Sequence, residues 1–130
     1  MIGLDTNILV RYFTQNDPAQ SARANKIIAA LTENSPGFIS LVALAETIWV
    51  LERSYGLAAP ELAHIISRIL QTSTFEVQNE REVFVAMVML QKGVASFAHA
   101  LVGELGTWAG CAQTVTFDRK AARLPAFKLA

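Results

Sequence analysis

Apolar residues recur along the chain in two rhythms. Short bursts at Ile2-Gly3-Leu4, Phe38-Ile39, Thr74-Phe75-Glu76-Val77, Gln113-Thr114-Val115-Thr116-Phe117 and Phe127-Lys128-Leu129 are too brief for helices and predict strands, the last an edge strand. Longer stretches between them carry helical spacing and cap residues. Asp5-Thr6-Asn7 introduces a short helix over 8–13, and Asp17 followed by Pro18 introduces a second that runs to about Thr32. That second helix turns Ala22, Ile27, Ala30 and Leu31 to its apolar side. Asn34-Ser35-Pro36-Gly37 is a turn. Ser40 caps a helix over 41–55 that Gly56 ends, and another follows over 59–71 with Glu61 in its first turn. Asn79 caps a helix to Gln91 that closes at Lys92-Gly93. Ser96 caps a last long helix to about Ala109, and a short helical turn comes after Asp118.

Short strands separated by helices predict an α/β fold: a three-layer α/β/α sandwich around a mostly parallel, short-stranded central sheet. No shift in composition marks a boundary, so residues 1–130 read as a single domain. In such sheets ligands bind beyond the carboxyl ends of the strands. Asp5 and Asp118 fall there. Glu46 stands out differently, because it interrupts Leu41-Val42-Ala43-Leu44-Ala45 and Thr47-Ile48-Trp49-Val50-Leu51. A helix apolar all round is expected to be buried, and a carboxylate inside it has to be paired, protonated or metal-bound.

Eleven Lys and Arg balance eleven Asp and Glu, while hydrophobic residues make up 52% and charged ones 17%. This excludes disorder and excludes holding nucleic acid by net charge alone. The single cysteine, Cys111, excludes an internal disulfide and a cysteine-built zinc site, and reads as a small buried hydrophobe. Neither a basic leader nor a membrane-length apolar run is visible, so a soluble cytoplasmic protein is expected. A short, apolar chain is also expected to keep some hydrophobic surface for a partner.

Each acid alone has an ordinary reading. Asp5 could cap the helix after it, Asp118 could cap the turn through Arg119 and Lys120, and Glu46 could lie half-exposed on a helix of different phase. Together, two strand-end acids and one helical acid make an oxygen-lined site suited to Mg²⁺ or Mn²⁺.

Three segments resemble a known family. Met1-Ile2-Gly3-Leu4-Asp5-Thr6-Asn7-Ile8-Leu9 resembles the amino-terminal motif of PIN-domain ribonucleases, Ser40-Leu41-Val42-Ala43-Leu44-Ala45-Glu46 the second motif, and Val115-Thr116-Phe117-Asp118-Arg119-Lys120 the motif of the fourth acid. Order and spacing agree over nearly the whole chain, and within the family the chain is most similar to VapC-type toxins of toxin–antitoxin pairs. The third motif departs. Where the family reads like Asp-Phe-Ala-Asp-Ala-Leu, this chain has Ser96-Phe97-Ala98-His99-Ala100-Leu101, so His99 stands in the place of a principal metal ligand.

The resemblance implies metal-dependent cleavage of RNA in a cytoplasmic homodimer held in check by an antitoxin protein, with no membrane partner. Asp5, Glu46 and Asp118 would hold the ion, and Mg²⁺ or Mn²⁺ would activate water for in-line attack on phosphorus. An imidazole at 99 removes a negative charge and suits Mn²⁺ or later metals better than Mg²⁺. Three outcomes stay open: a changed metal with activity intact, an introduced inactivating Asp-to-His change, or a degenerate PIN domain acting as a binding or assembly module. His99 could also sit on its helix with no ligand. Arg119, Lys120, Arg123 and Lys128 form a local basic patch able to hold RNA phosphates, Arg11 is another phosphate candidate, and Asn7 and Thr116 could orient a carboxylate. The helices over 41–55 and 59–71 carry more apolar residues than one side needs, and the excess resembles the surface such toxins use to dimerise and receive an antitoxin.

Overall fold

A computed structural model describes residues 1–130. In chain order its elements are β1 (Ile2–Gly3), α1 (Thr6–Thr14), α2 (Pro18–Ala29), β2 (Gly37–Ile39), α3 (Leu41–Tyr55), α4 (Ala59–Gln71), β3 (Phe75–Val77), α5 (Glu80–Gln91), α6 (Phe97–Trp108), β4 (Thr114–Thr116) and β5 (Phe127–Leu129). A 3-10 turn at Ala121–Arg123 precedes β5. Every strand pairing is parallel, in one sheet of order β1-β2-β3 and one pairing β4 with β5. The class is the expected α/β with short parallel strands. The chain falls into two compact units, residues 1–58 with 68–78 and residues 59–67 with 79–130.

In the first unit the predicted caps form. Asp5 Oδ1 accepts the Thr6 N–H at 2.7 Å, Asp17 Oδ1 the Gln20 N–H at 3.0 Å, and Ser40 Oγ the Ala43 N–H at 3.1 Å, each satisfying a donor that a helix start leaves orphaned. Gly56 takes the left-handed conformation that closes α3. Leu4, Leu9, Ile39, Leu44, Ile48 and Leu51 are buried.

Two helix phases differ from expectation. The buried face of α2 is Ser21, Ala24 and Ile28, whereas Ala22, Ile27 and Ala30 are exposed and Leu31 lies beyond the helix end. Ser21 can turn inward because its Oγ donates to the Arg11 carbonyl at 3.0 Å, which removes the cost of burying a hydroxyl. In α3, Ala43, Leu44, Thr47, Ile48 and Leu51 face inward, and Thr47 Oγ1 donates to the Ala43 carbonyl at 2.7 Å. That leaves Val42, Glu46 and Trp49 exposed, at helical spacing on one face. The helix is not apolar all round, and Glu46 is not a buried carboxylate.

The second unit is built on α5 against α6. Val83, Ala86, Met87 and Leu90 of α5 and Phe97, Ala100, Leu101 and Gly103 of α6 are buried. Gly103 admits the Phe127 ring of β5 so closely that a Cβ there would meet it at 2.6 Å. In α4, which is divided between the two units, Leu62, Ile65, Ile66 and Ile69 are buried and Leu70 is half-buried. Cys111 is exposed rather than buried, because it falls in the loop after α6 has ended. No helix is long and apolar enough to cross a membrane.

Candidate active site

In the first unit, β1 and β2 are parallel neighbours, so their carboxyl ends share one edge of the sheet. Each strand feeds a helix there. Asp5 comes after β1 and caps α1, and Ser40 comes after β2 and caps α3, which carries Glu46 in its second turn. Thr6 ties the two acids together. Its backbone N–H donates to Asp5 Oδ1, and its hydroxyl donates to Glu46 Oε1 in a close hydrogen bond. Thr6 is buried, at 6% exposure, whereas both carboxylates are exposed. Each carboxylate therefore has one oxygen oriented by Thr6 and keeps lone pairs for another partner. Two carboxylates and a hydroxyl are hard oxygen donors, a set that fits Mg²⁺ or Mn²⁺.

In the second unit, Asp118 lies just beyond β4. Its backbone N–H donates to Thr116 Oγ1 at 3.0 Å, and its Oδ1 accepts the Ala121 N–H at 2.8 Å. The Ala121 N–H holds the Asp118 carboxyl below the ordinary aspartate value; partial desolvation works against it, and the charges of His99 and Lys120 add to it. His99 lies half-buried in the first turn of α6, where Ser96 Oγ accepts its backbone N–H at 3.2 Å. Its ring meets Phe127 edge-on, with centroids 6.3 Å apart. The residue in the third-motif position thus acts electrostatically on the acid of the fourth.

The depressed Asp118 value has a direct sign. A carboxyl held low in the folded state adds stability above the ordinary aspartate value, and that contribution disappears as pH falls through the folded value. A pH series of carboxyl NMR shifts is expected to place the Asp118 midpoint below the ~3.9 of an unperturbed aspartate, and His99→Asn is expected to raise it. An Asp118 midpoint at or above the unperturbed value would show that the Ala121 contact does not persist in solution.

The structure thus gathers the predicted residues as two pairs, Asp5 with Glu46 and His99 with Asp118. Neither unit by itself assembles three or more His, Cys, Asp or Glu side chains into a metal-holding group. Asn7 is exposed in the first turn of α1, and Arg119 and Lys120 are exposed after Asp118. Arg11 is half-buried and engaged: Nε donates to Gln20 Oε1 at 2.7 Å, and Nη1 donates to Asn16 Oδ1 and to Tyr55 Oη, each at 3.2 Å. Sequence reasoning missed Thr6 as the link between the acids. The only available signal was a hydroxyl residue placed directly after a capping acid. It also missed the Gln20, Asn16 and Tyr55 contacts that orient Arg11.

A family model described as the PIN domain matches residues 2–126. No curated protein matches the chain.

Proposed function

The chain belongs to the PIN-domain family, a family of nucleases, and from that premise we propose that it is a metal-dependent endoribonuclease, the toxin of a toxin–antitoxin pair, with activity weakened by His99. The observation that carries this reading is the Thr6 bridge, which holds Asp5 and Glu46 side by side at the carboxyl edge of a parallel sheet. The family match runs through both compact units, which supports reading residues 1–130 as one PIN domain.

In this reading Asp5, Glu46 and Asp118 hold a divalent cation, with the His99 imidazole in place of the usual third acid. When bound, the cation supplies positive charge that stabilises the phosphoryl-transfer transition state. The chain's own residues prepare the site. Thr6 fixes one oxygen each of Asp5 and Glu46, and Thr116 pins the backbone of Asp118. Exposed Arg119 and Lys120 receive RNA phosphates, and Asn7 faces the substrate from the first turn of α1. His99 favours Mn²⁺ over Mg²⁺, since imidazole suits softer cations. The exposed Val42 and Trp49 on α3 supply apolar surface for a second copy or an antitoxin. A cytoplasmic location accompanies the toxin reading.

His99 also favours a second reading, a catalytically degenerate PIN domain that binds partners without cutting. Incubating the protein with RNA and with single-stranded DNA, each with Mg²⁺ or Mn²⁺, separates them. Internal cleavage of RNA, faster in Mn²⁺, is expected. Intact RNA in both metals would leave the binding module, and cleavage of DNA alone would make the protein a DNA nuclease.

A further inference from the structure

The first unit contains a cavity of about 210 Å³ between α1 and α2. Asn7, Arg11, Gln20 and Arg23 supply its polar lining, and Ile8 and Ile27 are part of its apolar wall. Two cations and no carboxylate line it. Resting on the ribonuclease reading, we propose that this cavity is a nucleotide subsite, in which Arg11 and Arg23 clamp an RNA backbone phosphate neighbouring the one that is cleaved.

Three observations converge on that ligand. The Arg11 guanidinium is oriented before any ligand arrives, by Gln20, Asn16 and Tyr55. All three acceptors are neutral, so the charge stays uncompensated, and Nη2 retains its N–H donors for an anion. A guanidinium fixed in this way loses little freedom on gripping phosphate, which it matches in geometry and charge. Arg23 adds a second exposed cation at the same cavity.

The rest of the lining suits a nucleotide better than a bare ion. Asn7 and Gln20 offer amide donors and acceptors to a sugar or base edge, while Ile8 and Ile27 give a base an apolar surface. Position points the same way. Asn7 lies two residues after Asp5, and Arg11 lies about one helical turn, ~5–6 Å, further along α1. The cavity therefore begins within one helical turn of Asp5, close enough for a neighbouring nucleotide of a strand whose scissile phosphate lies at the acids. An acidic peptide would also satisfy the two arginines, but only a nucleic-acid strand is brought to this cavity by the proposed chemistry at Asp5 and Glu46.

The test is fluorescence anisotropy of a labelled single-stranded RNA oligonucleotide against the full chain in EDTA, which prevents cleavage, over a range of salt. Arg23→Gln, at an exposed position, is expected to weaken binding about tenfold and to flatten the log–log salt slope by about 0.7. Arg11→Gln is expected to do the same, with circular dichroism checking that α1 and α2 persist. Native affinity and native slope in both variants, alongside RNA cleavage by the unaltered chain, would overturn the subsite and leave the ribonuclease reading standing. No RNA binding and no cleavage by the unaltered chain would remove both. An acidic peptide that binds more tightly than the RNA, and loses affinity in the same variants, would reassign the cavity to a protein partner.

Discussion

Asp5→Asn is expected to lower RNA cleavage by about 10³-fold or more, because metal-borne charge stabilisation is worth several kcal/mol and each ~1.4 kcal/mol is tenfold in rate. The substitution is nearly isosteric, which makes it informative. In the proposed mechanism the side chain of Asp5 has two tasks: Oδ1 caps α1 through the Thr6 N–H, and its negative charge would help hold a cation. Asparagine keeps an acceptor oxygen and is as good a cap as aspartate, so the first task survives. Only the charge goes. Cleavage rate and urea midpoint measured on the same preparation separate the two tasks. A lost rate at an unchanged midpoint assigns Asp5 to the chemistry. An unchanged rate, whatever the midpoint, removes Asp5 from the chemistry and leaves it as a cap, and the ribonuclease reading then loses its first residue.

The element map was legible because the signals are local. Asp17-Pro18, Ser40 and Ser96 each stand where a helix starts, Gly56 stands where one ends, and five short apolar bursts became five strands. The inward faces were harder to read. Ser21 and Thr47 are polar by type yet buried, because each satisfies its hydroxyl on a backbone carbonyl nearby, so counting apolar residues assigned the wrong side to α2 and read α3 as apolar all round. That same error made Glu46 look buried when it is one of an exposed row with Val42 and Trp49.

The site divides along similar lines. Asp5 and Asp118 could be marked from sequence because each ends an apolar segment, and each does act as a cap, Asp5 for α1 and Asp118 for the turn that reaches Ala121. Capping and ion binding are compatible roles for a carboxylate, since it accepts several contacts at once. Thr6 was invisible as a linker because its partner, Glu46, lies in another element, and only the parallel register of β1 and β2 brings α1 and α3 to one edge. Arg11 was legible as a cation but not as an oriented one, because its orienting groups come from α2 and α3 as well as the loop between α1 and α2.

His99→Asp is expected to tighten Mg²⁺ binding about tenfold or more, since in the proposed site a carboxylate would replace an imidazole beside the cation and even a well-screened unit charge at ~4 Å contributes about 1–4 kcal/mol. The local structure can accept the change. Position 99 is the third residue of α6, and its backbone N–H already bonds Ser96 Oγ; an acid there interacts favourably with the helix dipole and leaves the serine cap in place. The substitution also removes a positive charge that acts on Asp118, so the Asp118 midpoint is expected to rise toward the ordinary value in the metal-free protein. Calorimetric titration with Mg²⁺ and with Mn²⁺, beside the carboxyl NMR series, reads both effects. Tighter Mg²⁺ binding with a reduced preference for Mn²⁺ identifies position 99 as a weak ligand position that histidine has detuned. A shifted Asp118 midpoint with unchanged affinity for both metals would mean that His99 acts only on its neighbour and never on the ion. In that case weak metal binding would have to originate with Asp5, Glu46 or Asp118, and the degenerate reading would no longer rest on the histidine.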